Sequence, residues 1–262
     1  MKRNSLAVIA AIALALAACR HGARQPIRPS IDPELTKLTK EQVFNRGEEW
    51  FAKKKYPKAR TYYSYVYENF PNDPLGRRAL LRVADTYYAQ GDAMNLVEAQ
   101  YKYRDFINRY PGSDRADYAM LQIAMVSYKQ MEKPDRDQQK TREAVEKFND
   151  MIHTFPKSAL RPEAEKRLQD ALDRLAKHEQ IVARFYMKRG DYNAAILRLN
   201  YLVDNYPNFR ERDAVFYDLG NSLAGIGRKA EARLYFERVI SEFPKSEYAD
   251  KAKKRLDQMK AA

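Results

Sequence analysis

Five aromatic–proline dipeptides recur along this chain: Phe70-Pro71, Tyr110-Pro111, Phe155-Pro156, Tyr206-Pro207 and Phe243-Pro244, separated by 40, 45, 51 and 37 residues. A mark returning at such intervals indicates a helical repeat array. One helix pair cannot bury its own apolar face and must stack on the next. Proline lacks an N–H and clashes with the preceding helical turn, and it drives the residue before it out of the helical region. Each dipeptide is therefore expected just past a helix C-terminus.

Counting back from the prolines gives the repeat type. Phe216, Leu219, Gly220, Leu223, Ala232, Phe236, Val239 and Pro244 fall at tetratricopeptide spacings in the fifth unit. Gly47, Trp50, Ala59, Tyr63, Val66 and Pro71 do so in the first, and Ala183, Tyr186, Ala195, Leu199, Leu202 and Pro207 in the fourth. Small residues at the eighth and twentieth positions let the two helices approach, and large ones fill the gap. The second unit (Tyr87, Ala99, Tyr103, Pro111) and the third (Tyr128, Ala144, Phe148, Pro156) keep the second helix and lengthen the loop before it.

Helix ends are legible as well. Thr39 with Gln42 forms a capping-box pattern. Pro162 sits where a first helical turn tolerates proline, and no breaker follows before Arg189, so one long helix must serve both the third and fourth units. Tyr248, Ala252, Leu256 and Met259 keep helical spacing amid charge, as a capping helix does. The expected fold is all-α: a right-handed superhelical array of about five tetratricopeptide-like helix pairs plus a C-terminal capping helix. Repeats one to three occupy residues 39–160; the shared helix, repeats four and five and the cap occupy 161–262.

The N-terminus has a different composition. Lys2 and Arg3 precede an apolar run from Leu6 to Ala18. As a helix this run would measure about 20 Å, short of the roughly 30 Å hydrocarbon core, so residues 1–18 are expected to be a secretory signal. Leu16-Ala17-Ala18-Cys19 resembles the bacterial lipobox, and Cys19 is the single cysteine of the chain. Cys19 is thus the expected lipidation site, with residues 19–38, which hold Pro26, Pro29 and Pro33, as a flexible tether. Arg20 follows it, whereas lipoproteins kept in the inner membrane typically carry Asp there. The expected location is the outer membrane, lipid-anchored and facing the periplasm.

The net charge of +13 suits anionic lipid, acidic protein surfaces or nucleic acid; a secretory signal makes nucleic acid the poorest fit of the three, and none is expected as a partner. Lys53-Lys54-Lys55 and Lys253-Lys254-Arg255 are expected to be solvated helix faces, with contact to a membrane surface as the other reading. With a single cysteine no intrachain disulfide can form. Neither phosphate-cradling glycine pattern occurs, and His178-Glu179 has no second histidine at zincin spacing. No enzymatic activity, cofactor or metal is expected.

Several stretches carry a family resemblance: Asp135-Arg136-Asp137-Gln138-Gln139, then Asp173-Arg174-Leu175-Ala176-Lys177-His178-Glu179 running to Tyr186-Met187-Lys188-Arg189-Gly190, and Asn193 to Arg198 continuing to Asp204-Asn205-Tyr206-Pro207. With the lipobox, the repeats and the long central helix, the chain resembles the BamD family of outer-membrane β-barrel assembly lipoproteins. It departs from the family at a proline missing between Asp137 and Gln138 and at Leu197, where the family has asparagine. The resemblance implies a periplasmic adaptor. Its N-terminal repeats would receive unfolded outer-membrane protein precursors. Its C-terminal repeats would dock the POTRA region of a BamA-like barrel subunit, beside other lipoproteins of the machinery, with Arg198 matching the family's contact arginine. The alternative reading is a general tetratricopeptide lipoprotein scaffold for cell-envelope or cell-wall complexes.

Repeat geometry adds one expectation of its own. Positions two, five, nine and twelve of each first helix point into the concave groove of such arrays. These are Glu41, Phe44, Glu48 and Phe51 in repeat one, and Arg78, Leu81, Asp85 and Tyr88 in repeat two. Phe44, Phe51 and Tyr88 are expected to hold aromatic side chains of an extended client peptide, with Arg78 on its terminal carboxylate.

Overall fold

The computed structural model describes residues 35–261. Cys19, the apolar run and most of the tether lie outside the described residues. After a 3-10 turn at Leu35–Lys37, the described residues form eleven α-helices and no strand. We number them α1 (Lys40–Ala52), α2 (Tyr56–Asn69), α3 (Pro74–Gln90), α4 (Ala93–Arg109), α5 (Ala116–Lys129), α6 (Gln139–Thr154), α7 (Arg161–Lys188), α8 (Tyr192–Asn205), α9 (Arg212–Gly225), α10 (Lys229–Glu242) and α11 (Glu247–Ala261). Each packs on its neighbours in sequence, as a stack of antiparallel helix pairs requires.

Local chemistry sets the helix ends. Thr39 accepts from the Gln42 backbone N–H, and the Gln42 side chain returns the bond to the Thr39 N–H, completing the expected capping box. The Asp73, Asp92 and Asp191 carboxylates each accept one backbone N–H at the starts of α3, α4 and α8, without the return bond. All five aromatics that precede the repeat prolines are helix C-caps, with φ of −132°, −132°, −123°, −127° and −131° in chain order. The prolines thus impose one backbone exit five times over.

Packing within a pair follows the small-residue rule. A β-carbon at Gly47 would stand 2.7 Å from the Tyr63 ring, and one at Gly220 would stand 2.6 Å from the Phe236 ring. Ala59, Ala99, Ala144, Ala195 and Ala232 are all fully buried. In the second unit the added length becomes an extra turn of α4, which starts directly after Gly91 and Asp92, so the expected longer loop is corrected to a longer helix. The third unit does carry a loop, residues 130–138. The buried Gln138 amide donates to the Lys133 and Arg136 carbonyls, Arg174 donates to the Met131 and Glu132 carbonyls, and His178 Nδ1 lies 2.7 Å from the Pro134 carbonyl.

The long helix α7 has 28 residues. Ala164 near its start belongs to the core around Phe148 and Met151, whereas Ala176 and Ala183 belong to the core of repeats four and five around Leu199, Phe216 and Phe236. One helix therefore fixes how the two halves sit against each other.

Candidate functional site

Two surfaces stand out. The first is a groove of about 730 Å³ where α3 faces the start of α5, lined by Arg77, Arg78, Leu81, Arg82, Arg115 and Tyr118 among others. A polar network holds its floor. Arg82 donates to both Glu48 oxygens at 2.7 and 2.8 Å and to Asp85 at 3.0 Å. The buried Asp85 accepts from the Tyr103 hydroxyl at 2.6 Å and from Tyr118 at 2.8 Å, while Glu48 accepts from Tyr63 at 2.9 Å. Burial pulls the Arg82 guanidinium down, but its bonds to Glu48 and the nearby charge of Asp85 outweigh that and hold it raised. Burial pushes the Tyr103 and Tyr118 hydroxyls up, and the Asp85 carboxylate pushes them further. Repeats one, two and three are thereby tied through two carboxylates, Glu48 and the buried Asp85, with Arg82 between them.

The rim is chemically different. Arg77, Arg78 and Arg115 form no ion pair with the described residues. Each instead lies over a ring: Tyr110 at 5.8 Å, Phe44 at 4.9 Å and Tyr118 at 4.9 Å. A guanidinium beside a ring and free of an acidic partner keeps N–H donors available for a carboxylate.

Of the four residues expected in the client groove, only Arg78 lines it. Phe44 is corrected: it is 3% exposed, in one cluster with Leu35, Val43, Tyr63 and Val83, its ring 5.3 Å from that of Tyr63. The turn upstream of α1 packs into that same cluster, so the fifth position of the first repeat joins the core. Phe51 is half-buried, edge-on to Tyr56, with Arg82 at 4.1 Å over its face. Tyr88 is half-buried against the second-repeat core, with Lys129 over its ring. Arg77, Arg115 and Tyr118 escaped the sequence reading, because the loop joining two repeats brings Arg115 to the groove and helix periodicity says nothing of it.

The second surface surrounds Arg198 on α8. Its Nη1 bonds Glu179 of α7 at 3.1 Å, and half of its side chain stays open to solvent. Leu197 beside it is 72% exposed, and Tyr201 one turn further is 47% exposed. Ile181 and Phe185 of α7 are also exposed. Tyr201 meets Tyr206 edge-on at 6.3 Å, and burial with the adjacent Tyr201 pushes the Tyr206 hydroxyl up to about 12. The opposite face of α8 buries Ala195, Ile196, Leu199 and Leu202, so this helix is apolar on two sides. That doubled pattern is visible in the sequence and was not part of its reading. Exposed apolar side chains thus stand beside a half-free guanidinium on this face.

The sequence pattern of one protein family, described as "YfiO: Outer membrane lipoprotein", matches residues 36–232. The chain belongs to this family. Relatives that it resembles include the outer membrane protein assembly factor BamD of Neisseria meningitidis serogroup A, 27% identical over 221 residues that cover 79% of this chain and 80% of that protein. Another is the BamD of Rickettsia prowazekii, 27% identical over 206 residues covering 79% and 81%. Among solved structures, the TPR2AB-domain:pHSP90 complex of yeast Sti1 shares 14% identity with a TM-score of 0.44, covering 85% of this chain and 86% of that one. The YfiO match spans from just before the first capping box into α10, so both surfaces fall inside it. Among the described residues no helix is long and apolar enough to cross a membrane.

Proposed function

We propose that the chain is a lipid-anchored adaptor of the outer-membrane β-barrel assembly machinery. Its α8 surface docks the POTRA region of a BamA-like barrel subunit, and its N-terminal groove takes the extended end of an unfolded barrel precursor. The observation that carries this reading is the pairing of Arg198 with exposed Leu197 and Tyr201: an apolar seat with one directional charge beside it. Such a seat gives area for affinity and a bidentate donor for orientation. In the groove, Arg78 with Arg77 and Arg115 supplies the cationic rim for a client carboxylate, while Phe51 and Tyr88 lie half-buried outside its lining. Anchoring is assigned to Cys19, and the other lipoproteins of the machinery are its further partners in this reading.

The test is co-purification from detergent-solubilised outer membranes. The wild-type chain is expected to bring down the barrel subunit, and Arg198→Glu to lose it while keeping its helicity. Retention of the subunit by the variant would move the docking surface elsewhere.

A further inference from the structure

The turn between α1 and α2 breaks a rule that its sister repeats keep. Gly190 and Gly227 stand five residues before Ala195 and Ala232, with φ of 77° and 80°. At the same position in the first repeat, five residues before Ala59, stands Lys54 with φ of 57°. A side chain is strained in this left-handed region and glycine is not. Strain kept where a sister repeat avoids it points to a role for the side chain itself.

Its surroundings share one chemistry. Lys53, Lys54, Lys55 and Lys58 are all exposed and none is ion-paired among the described residues. Lys53 and Lys58 lie over the Trp50 ring at 5.1 and 3.8 Å. The neighbouring turn belongs to the same edge: Arg60 of α2 bonds Thr86 and Gln90 at the end of α3, four residues before Met94. Met94 is 78% exposed at the start of α4. Asp92, in the turn beside Met94, is engaged in capping α4.

We propose that this edge of repeats one and two rests on anionic phospholipid, with the lysines at the headgroup phosphates and Trp50 and Met94 at the interface. Charge complementarity favours that occupant, and so does the pairing of a basic cluster with the single tryptophan of the chain. Reach favours it too. The residues between Cys19 and Leu35 span at most about 55 Å when extended, so a chain anchored at Cys19 holds its first repeat near the bilayer. The inference takes its setting from the anchoring proposed above, and its test removes the anchor so that the two can fail separately.

The chain from residue 20, which keeps every core residue of the described body, is titrated with vesicles of phosphatidylglycerol and phosphatidylcholine in equal parts. Binding is read by sedimentation and by Trp50 emission. The expected result is binding with a blue shift, absent with phosphatidylcholine alone, and weakened about a hundredfold by Lys53→Glu, Lys54→Glu and Lys55→Glu together, since each surface lysine is worth about fivefold. The same charge reversal at Lys245, Lys253 and Lys254, at the far end of the array, should leave most of the binding. Lys54→Gly should raise the melting temperature while weakening binding about fivefold. Equal loss in both triple variants, equal binding to neutral vesicles, or no binding at all would overturn the proposal.

Discussion

The Tyr63 hydroxyl and the Arg82 guanidinium meet on one carboxylate, that of Glu48, at 2.9 and 2.7 Å. Through it the second helix of repeat one is joined to the first helix of repeat two. The opposite end of the array has a counterpart, where Arg184 of α7 bonds the buried Asp218 of α9 at 2.7 Å and Tyr248 of α11 at 3.3 Å. Polar bonds of this kind fix the angle between repeats, which apolar contact alone leaves less specified.

Gly220→Ala puts a β-carbon into the Phe236 ring, and Ala232→Phe overfills the facing position. Each is expected to cost about 1–3 kcal/mol, lowering the thermal midpoint by several degrees. Gly225→Ala should behave likewise, since its β-carbon would stand 2.6 Å from the Tyr192 ring. Thermal melts followed by circular dichroism decide this. An unchanged midpoint in Ala232→Phe would mean that the helices of repeat five are not in the described register.

Phe44→Ala is expected to act through stability, not through peptide binding. Removing a fully packed ring costs about 3–5 kcal/mol. Denaturant unfolding should show that loss. A variant as stable as the parent, yet weak in client binding, would restore Phe44 to the groove.

Alkaline titration should reveal the network under the groove. Tyr103 and Tyr118 are raised by burial and by Asp85, and Tyr206 is raised to about 12. A group whose folded pKa is raised gives stability that is fully present below its unfolded value, about 10, and is lost as the pH climbs through the folded value. The body should therefore hold its stability to about pH 10 and lose it above. Phenolate absorbance should show most tyrosines ionising near 10 and a delayed group ionising together with loss of helicity. Ionisation of all tyrosines in one step near 10 in the folded chain would contradict the network.

Arg78→Glu with Arg115→Glu should weaken a barrel-derived C-terminal peptide at least tenfold, because each charged contact is worth about 1.5–3 kcal/mol. Fluorescence anisotropy measures it. Phe51→Ala should have a smaller effect, since Phe51 lies outside the groove lining and carries Arg82 on its face. Unchanged affinity in the arginine double variant would place the client elsewhere.

The repeat skeleton was legible because its determinants are local. A proline fixes the residue before it whatever the rest of the chain does, and Thr39 finds its partner three residues away. The small residues at Gly47 and Gly220 announce the large rings that fill the space beside them. Phe44 was misplaced because its burial depends on the end of the array, where Leu35 packs into the same cluster, and repeat periodicity carries no information about ends. Arg115 was missed for a similar reason, since its place at the groove depends on the loop between repeats. Leu197 and Tyr201 show the opposite case. Their spacing was visible, but only the structure tells which apolar face of α8 is buried and which is open.

Docking through the α8 surface is tested most directly by a photo-crosslinking residue at Leu197 in the intact cell envelope. The expected result is an adduct with the POTRA-containing barrel subunit, lost when Arg198→Glu is added and absent from the same probe at Glu237 on the exposed side of α10. A Leu197 probe that crosslinks only to other proteins, in cells where the barrel subunit is present at its normal level, would contradict it.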